Sequence, residues 1–159
     1  PGQYDIHALL DLGLDPEVKD LSEMIQINPI NFDLNKYVIR PDAAKELDKI
    51  VEVMNKYPNM VVELGSHTDC RASKAYNMSL SDKRAKASAE YIKKKITNPE
   101  RIYGKGYGES RLLNDCACEG NVKSDCPEEE HEKNRRTEFK VISTGDDKLK
   151  VNNTSTDSF

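Results

Sequence analysis

The stretch Met60-Val61-Val62-Glu63-Leu64-Gly65-Ser66-His67-Thr68-Asp69 decides the architecture of this chain. Its first half is short, apolar and β-branched, which predicts a central strand that ends at Gly65. A lone carboxylate, Asp69, follows this strand, and Arg84 comes fifteen residues later within a predicted helix. No evident nucleophile or base accompanies them. The pair is therefore typical of a site that grips a zwitterionic ligand rather than of a catalytic centre.

The residues before this stretch predict one strand and one helix. Isoleucines alternate loosely with polar residues over 25–32, which predicts a first strand, although Pro29 limits it to an edge or a bulge. Pro41 suits the first turn of a helix, and Pro58 ends that helix. The helix carries an apolar stripe at spacings of four, three and four, formed by Ala43, Leu47, Ile50 and Met54.

The residues after it predict a second long helix, two more strands and a short helix. The second helix spans about 74–95, and its predicted inner stripe is Leu80, Ala87 and Tyr91, with Ile92 beside it. The predicted strand over 101–107 has glycines at alternate positions, which allows another element to approach closely. A short helix begins at Pro127, and the last strand covers 137–142.

This order of elements predicts the fold class. A βαβαβ run followed by a short helix and a final strand indicates an α/β (α+β sandwich) fold, with helices packed on a mixed four-stranded sheet. We predict a lead-in or linker at 1–24, one globular domain at 25–143, and a flexible polar tail at 144–159.

Charge and hydropathy exclude two classes of function. The net charge of −4 argues against a nucleic-acid binder, because binding a polyanion requires a basic footprint. No segment of this sequence approaches the run of about 18 apolar residues that a membrane-spanning helix needs.

Four cysteines predict an oxidising compartment. Cys116, Cys118 and Cys126 lie within one loop, and Cys70 directly follows Asp69. An even number with this clustering favours disulfides, for which three pairings are possible. Free thiols and a zinc site that also uses histidine are the alternatives, but the Cys-x-Cys-x7-Cys spacing is not a usual zinc pattern. We therefore predict neither a metal nor another cofactor.

Five separated motifs resemble those of the OmpA-like C-terminal domain family, which includes the periplasmic end of OmpA proteins, the Pal lipoproteins and the flagellar stator protein MotB. The motifs are Phe32-Asp33, Gly65-Ser66-His67-Thr68-Asp69, Asn77…Leu80-Ser81…Arg84-Ala85, Arg101-Ile102…Gly106-Tyr107-Gly108-Glu109 and Asn134-Arg135-Arg136-Thr137-Glu138-Phe139. The resemblance covers residues 25–142, in the family's order. The cysteine loop is similar to that of Bacteroidetes members.

The resemblance implies which residues bind a ligand. The family binds peptidoglycan at the diaminopimelate residue of the stem peptide. Asp69 matches the aspartate that pairs with the ammonium group, and Arg84 matches the arginine that holds the carboxylate. Asn77 matches a polar residue of the same pocket. The remaining ligand-binding candidates are Arg135 from the closing motif, Asp33 and Leu34 from a loop whose backbone contacts the ligand, and Thr68 and Leu80.

Plainer roles are open for the same residues. Asp69 could cap the following helix, Arg84 could form a surface salt bridge, and Arg135 with Arg136 could be a solvated cationic pair. His67 is expected to be structural, because no Ser/His/Asp or Cys/His set has a recognisable spacing.

These observations predict a function without catalysis. The expected role is a periplasmic module of an outer-membrane-associated protein that anchors the envelope to peptidoglycan. The alternative is a protein-interaction module that docks other envelope proteins through its acidic surface and cysteine loop. An enzyme that acts on wall peptides is a third possibility.

Overall fold

The computed structural model of the protein describes residues 19–145. The predicted lead-in up to residue 18 and the tail from residue 146 lie outside the described residues. The helices are α1 (Pro41–Lys56), α2 (Lys74–Lys93) and α3 (Glu128–Asn134). The strands are β1 (Val61–His67), β2 (Ile102–Gly108) and β3 (Arg136–Ser143). Within 19–145, no helix combines the length and apolar character needed to cross a membrane.

Helix α1 is the amphipathic helix that the sequence predicts. Pro41 occupies its first turn, where a missing N–H costs nothing, and Tyr57 ends it just before Pro58. The predicted stripe is confirmed, because its four members are all fully buried: Ala43, Leu47, Ile50 and Met54. This face packs against the core residues of β1 and α2.

The sheet has three strands in the order β2-β1-β3. Strand β1 pairs in parallel with β2 and antiparallel with β3, so the sheet is mixed, as predicted. The predicted end of β1 at Gly65 is wrong, since the strand continues to His67. Gly65 pairs with both neighbouring strands, and a Cβ atom there would lie 3.1 Å from the ring of Tyr107, which leaves little room for a side chain.

The prediction of a fourth strand over 25–32 is not confirmed in the part of the chain that the structure describes. Two N–H groups of β3 bond to residues that precede this segment. Val141 N donates to Lys19 O (2.7 Å), and Phe139 N donates to the Asp20 carboxylate. The 25–32 segment is instead held on α1 by Glu46, whose carboxylate accepts from Asn28 N at 2.7 Å. It therefore runs beside the sheet without pairing to it.

Residues just before the predicted domain boundary contribute to the core. Leu21 is fully buried and Met24 nearly so, and both pack in the same cluster as Phe139. A short 3₁₀ turn, Leu21–Glu23, places them, with Asp20 as its cap. The domain boundary at residue 25 stays a prediction. Leu21 and Met24, just before it, pack into the core of the domain.

Helix α2 packs on the glycines of β2 at very short range. A Cβ atom on Gly104 would lie 2.3 Å from Ala85 O, and one on Gly106 would lie 2.2 Å from Asp82 N. The close approach predicted from the alternating glycines is confirmed, and α2 is the element that approaches. The predicted inner stripe is wrong for Leu80, Ala87 and Tyr91, which are only partly buried, because the helix turns smaller residues towards the glycines. Ile92, predicted beside that stripe, is fully buried. The buried face is Asn77, Ser81, Ala85, Ser88, Ala89 and Ile92.

Candidate functional site

Asp69 lies just beyond the end of β1, in a cluster of two carboxylates and two guanidinium groups. Its Oδ2 atom accepts hydrogen bonds from Arg135 Nη1 (2.7 Å) and Arg71 Nη2 (2.9 Å), and its Oδ1 atom accepts from Arg71 N (3.0 Å). Glu128 bonds to both guanidinium groups from the far side, at 2.9 Å from Arg71 Nη1. We call Asp69, Arg71, Glu128 and Arg135 the ion-pair cluster.

The cluster keeps Asp69 ionised. Burial by itself would raise the pKa of the Asp69 carboxyl, but the hydrogen bonds from Arg71 and Arg135 outweigh burial and lower that pKa to about 2. The hydrogen bonds from the same two arginines also lower the pKa of Glu128. Asp69 is therefore a fixed negative charge at every physiological pH, which is what binding an ammonium group requires.

The turn that carries Asp69 is fixed by Asn77 on α2. The Asn77 amide donates to the carbonyls of Asp69 (3.0 Å) and Ala72 (3.2 Å) and to Glu109 Oε1 (3.0 Å). Asn77 is buried, so its direct role in the structure is to orient the turn. Thr68 anchors the other side, because its backbone N–H donates to Gly108 O at 2.8 Å.

Asp69 does not cap α2. Ser73 is the N-cap residue, and its hydroxyl accepts from Tyr76 N at 3.1 Å. The plainer role for Asp69 is therefore wrong. The solvated-pair alternative for Arg135 and Arg136 is also wrong, because Arg135 belongs to the ion-pair cluster and Arg136 bonds to Glu138 Oε2 at 2.9 Å.

Arg84 projects from α2 to the loop that follows the 25–32 segment. Its Nε atom donates to Lys36 O (2.8 Å) and its Nη2 atom donates to Asp33 O (3.1 Å), while its guanidinium lies 4.9 Å from the centre of the Phe32 ring. Both acceptors are neutral carbonyl oxygens. These bonds orient the guanidinium without neutralising its charge, unlike the surface salt bridge considered from the sequence.

A cleft of about 680 Å³ brings several of these groups together, a volume usual for small-molecule sites. It lies between the 27–34 segment and the ends of β1 and β3. Three arginines line it, Arg84, Arg135 and Arg136, together with a mainly apolar wall. That wall consists of Ile27, Pro29, Ile30, Phe32 and Leu34.

The predicted binding residues fall into three groups according to their place relative to the cleft. Those that line the cleft are Arg84, Arg135 and Leu34. Asp69 connects to the cleft through its hydrogen bond with Arg135 and is supported by Thr68 in the same turn and by Asn77 on α2. Asp33 is exposed and pairs with Arg40, and Leu80 is half-buried on α2.

His67 also lines the cleft and is built into the sheet. Its Nε2 atom lies 3.0 Å from Glu138 Oε1, and its ring stacks on Tyr107 with centroids 4.9 Å apart. Burial, assisted by the nearby charge of Arg136, lowers the pKa of His67 to about 4, although Glu138 acts in the opposite direction. The imidazole is therefore neutral near pH 7.

The four cysteines form two disulfides, as predicted. Cys70 pairs with Cys118, and Cys116 pairs with Cys126. The pairing ties the turn carrying Asp69 to the cysteine loop, and that loop leads directly to Glu128 on α3. The alternatives of free thiols and of a zinc site that uses these cysteines are therefore excluded, because every cysteine is in a disulfide.

Sequence reasoning missed Arg71 and Glu128. Arg71 lies only two residues beyond Asp69, so its proximity was available as a signal. Glu128 belongs to an acidic run that the sequence assigns to the first turn of a helix. Its contact with Arg71 spans 57 positions, and the Cys70–Cys118 bond beside Arg71, which sequence reasoning could not assign, joins the same parts of the chain.

Comparison with known proteins gives consistent results. The sequence model of the OmpA family matches residues 31–125. The chain is 37% identical over 90 residues to outer membrane porin F of Pseudomonas fluorescens, covering 57% of this chain and 28% of that protein. It is 30% identical over 87 residues to the peptidoglycan-associated lipoprotein of Brucella melitensis, covering 55% of this chain and 52% of that protein. The chain thus spans about half or less of these curated relatives.

Solved structures show the same fold. The OmpA-like domain of FopA1 from Francisella tularensis superposes with a TM-score of 0.54 at 25% identity, covering 70% of this chain and 68% of that one. The C-terminal domain of Helicobacter pylori MotB superposes with a TM-score of 0.59 at 20% identity, covering 84% of this chain and 98% of that one.

Proposed function

Because the chain belongs to the OmpA family, we propose that it binds peptidoglycan non-covalently through the diaminopimelate residue of the stem peptide. One observation carries this proposal. Arg84 is oriented at the cleft by two neutral carbonyls, so its charge is free to receive a carboxylate, while Arg135 lines the same cleft and bonds to Asp69.

The chemistry of the ligand fits these groups. The free end of diaminopimelate carries an ammonium and a carboxylate on one carbon. Arg84 supplies a planar fork that suits a carboxylate bidentately, which a lysine would not reproduce. Asp69 supplies a permanent anion for the ammonium group. The apolar wall with Phe32 and Leu34 offers a surface for the methylene chain between the two ends.

Relatives support a role at the cell wall. The Brucella melitensis relative is called a peptidoglycan-associated lipoprotein, and the Pseudomonas fluorescens relative is called an outer membrane porin. We propose that the domain at 25–143 is a periplasmic anchor within an outer-membrane-associated protein, and that it links the envelope to the wall without catalysing a reaction.

Single-site binding should be weak. A charge-assisted hydrogen bond contributes about 1.5–3 kcal/mol, so isolated diaminopimelate should bind with a dissociation constant between about 1 μM and 1 mM. Firm anchoring would come from a polymeric wall with many identical sites and from tethering of the parent protein. Weak individual contacts allow the wall to be remodelled while the anchor stays attached.

The cysteine loop favours the second candidate function, a protein-interaction module. Leu113 and Val122 are apolar, and each is more than half exposed on or beside this loop. Exposed apolar residues mark an interaction site where they form a contiguous patch, which is what this alternative requires of the loop. Binding to purified wall material separates the two functions.

Co-sedimentation with purified sacculi tests the proposal. Wild-type protein should pellet with sacculi, whereas Asp69→Ala and Arg84→Ala should each lower the apparent affinity by about tenfold or more, because each removes one charge-assisted contact. Matched controls are Asp115→Ala and Lys94→Ala, which change one exposed charge of the same sign elsewhere.

Circular dichroism should remain native for all four variants. Equal pelleting of wild type and both site variants would reject the site. Failure of folded wild-type protein to pellet would favour the protein-interaction module instead.

A further inference from the structure

Arg71 bonds to both oxygens of the Asp69 carboxylate, so it competes with an incoming ammonium group for that carboxylate. The Asp69 Oδ2 atom already accepts from both Arg71 Nη2 and Arg135 Nη1, and Oδ1 accepts from Arg71 N. A carboxylate oxygen has about two acceptor sites. An ammonium that binds Oδ2 must therefore displace one of the two guanidinium groups.

The geometry indicates that Arg71, rather than Arg135, gives way. Arg135 makes the shorter bond to Asp69, at 2.7 Å compared with 2.9 Å for Arg71, and it lines the cleft, where its charge can help to hold a carboxylate. The two side chains are similarly exposed, but Arg71 does not line the cleft. Losing its side-chain bond leaves Asp69 oriented by the Arg71 backbone N–H and by Arg135.

Glu128 is placed to retain Arg71 after it leaves Asp69. Arg71 Nη1 lies 2.9 Å from Glu128 Oε2, whereas the bond to Asp69 uses the other terminal nitrogen, Nη2. Arg71 would therefore lose one hydrogen bond, keep the other, and move by a small side-chain rotation. Its charge would stay paired throughout, which keeps the exchange low in cost.

We propose that Arg71 is a specificity-determining residue of this site, a tethered cation that the ligand's ammonium displaces from Asp69 onto Glu128. This inference rests on the proposed function and concerns the same site. A tethered guanidinium competes with every cation in solution. Only a ligand that also offers a carboxylate to the cleft arginines recovers the cost of displacement.

The consequence is that Arg71 weakens ligand binding. A partly exposed ion pair contributes up to about 1 kcal/mol, so removing the Arg71 charge should tighten binding by about two- to fivefold. If the only role of Arg71 were to position Asp69, removing its charge would raise the dissociation constant instead of lowering it. The direction of the change therefore distinguishes competition from support.

Titration calorimetry with meso-diaminopimelate tests the inference on the whole chain. Arg71→Met, which keeps the length and removes the charge, should lower the dissociation constant by about two- to fivefold. Arg71→Lys, which keeps a competing cation, should restore the weaker wild-type binding. Glu128→Gln should weaken binding, because Arg71 loses its second carboxylate, and this weakening should be smaller when Arg71→Met is also present.

Glu130→Gln is the matched control, because it removes the same charge from the same helix while its ion pair is with Lys133. It should leave the dissociation constant unchanged. A second readout does not depend on ligand: carbon-13 NMR of the Asp69 carboxyl should show a higher pKa in Arg71→Met, and thermal unfolding should confirm that the variant is folded.

The outcomes separate this inference from the proposed function. If wild-type protein binds diaminopimelate and Arg71→Met binds it equally or more weakly, the role of Arg71 is overturned and the site stands. If wild-type protein neither binds diaminopimelate nor pellets with sacculi, the proposed function fails and the inference fails with it.

Discussion

At the scale of single residues, the site depends on side chains whose charge is set by their neighbours. Asp69 stays ionised because guanidinium groups bond to it, and His67 stays neutral because it is buried beside Arg136. The first effect fixes an anion at the proposed binding site. The second keeps an additional positive charge out of a cleft that already contains three arginines.

The depressed pKa of His67 predicts acid sensitivity of the fold. Between about pH 6.5 and pH 4 the unfolded chain binds a proton at this histidine and the folded chain does not, so the free energy of unfolding falls as the pH falls. From pH 7 to pH 5, His67 should account for a loss of about 2 kcal/mol. Urea unfolding of wild type and His67→Gln at both pH values measures this contribution.

The variant should lose less stability than wild type over this range, because it lacks the titrating group. Nuclear magnetic resonance titration should place the His67 pKa near 4. Identical pH dependence of the two proteins, or a His67 pKa near the ordinary value of about 6.5, would contradict the account.

At the scale of elements, the contact between α2 and β2 determines where the site residues lie. The glycines of β2 allow the backbone of α2 to approach closely, and Ser81 Oγ accepts from Gly108 N at 2.9 Å across the contact. Arg84 is three residues further along α2, so the depth of this packing determines its distance from the cleft.

Gly106→Ala should disrupt this packing. Its Cβ atom would lie 2.2 Å from Asp82 N, a backbone atom that cannot move alone, so we expect a loss of about 3 kcal/mol or more in the free energy of unfolding. Gly120→Ala is the comparison, because no atom lies within 4 Å of its added methyl group.

Gly120 has a φ of +56°, so its substitution should cost only about 1 kcal/mol through backbone strain. Urea denaturation of both variants measures the difference. Equal losses would show that the contact between helix and strand is looser than described.

The same contact shows what the sequence could predict at this scale. The stripe on α1 follows ordinary helical spacing, because α1 packs with large apolar side chains, and it was predicted correctly. The face of α2 was not, since its partner surface is made of glycines and accepts only small residues such as Ser81 and Ala85. A helix face can be predicted from its own residues only where its partner resembles an average core.

At the scale of the whole molecule, two disulfides join the site to the rest of the fold. The Cys70–Cys118 bond spans 48 positions and connects the turn of Asp69 with the cysteine loop. The Cys116–Cys126 bond spans 10 positions and shapes that loop before it reaches α3 and Glu128. Sequence reasoning predicted disulfides, but the pairing followed only from the fold, as did the closeness of Glu128 to Arg71.

The two disulfides should contribute unequally to the free energy of unfolding. By loop-closure entropy, replacing Cys70 and Cys118 by alanine should cost about 4 kcal/mol, and replacing Cys116 and Cys126 should cost about 3 kcal/mol. Urea denaturation of the two double variants without reductant measures both losses. A larger loss for the shorter loop would contradict this assignment of their contributions.

The recognition chemistry also belongs to the whole molecule, because the turn after β1, helix α2 and the end of α3 each supply one of its charged groups. The sequence predicted Asp69 and Arg84 from their spacing and from a family resemblance. It could not predict that Asp69 would be bonded to two arginines, or that a cleft would open where a fourth strand was expected.

Calorimetric titration of the wild-type protein with meso-diaminopimelate, beside 1,5-diaminopentane, tests the central claim most directly. The second compound keeps both ammonium groups and lacks both carboxylates. We predict saturable heat for diaminopimelate, with a dissociation constant between about 1 μM and 1 mM, and none for 1,5-diaminopentane at the same concentration. Equal binding of the two compounds, or no heat from diaminopimelate, would contradict recognition of a joined ammonium and carboxylate.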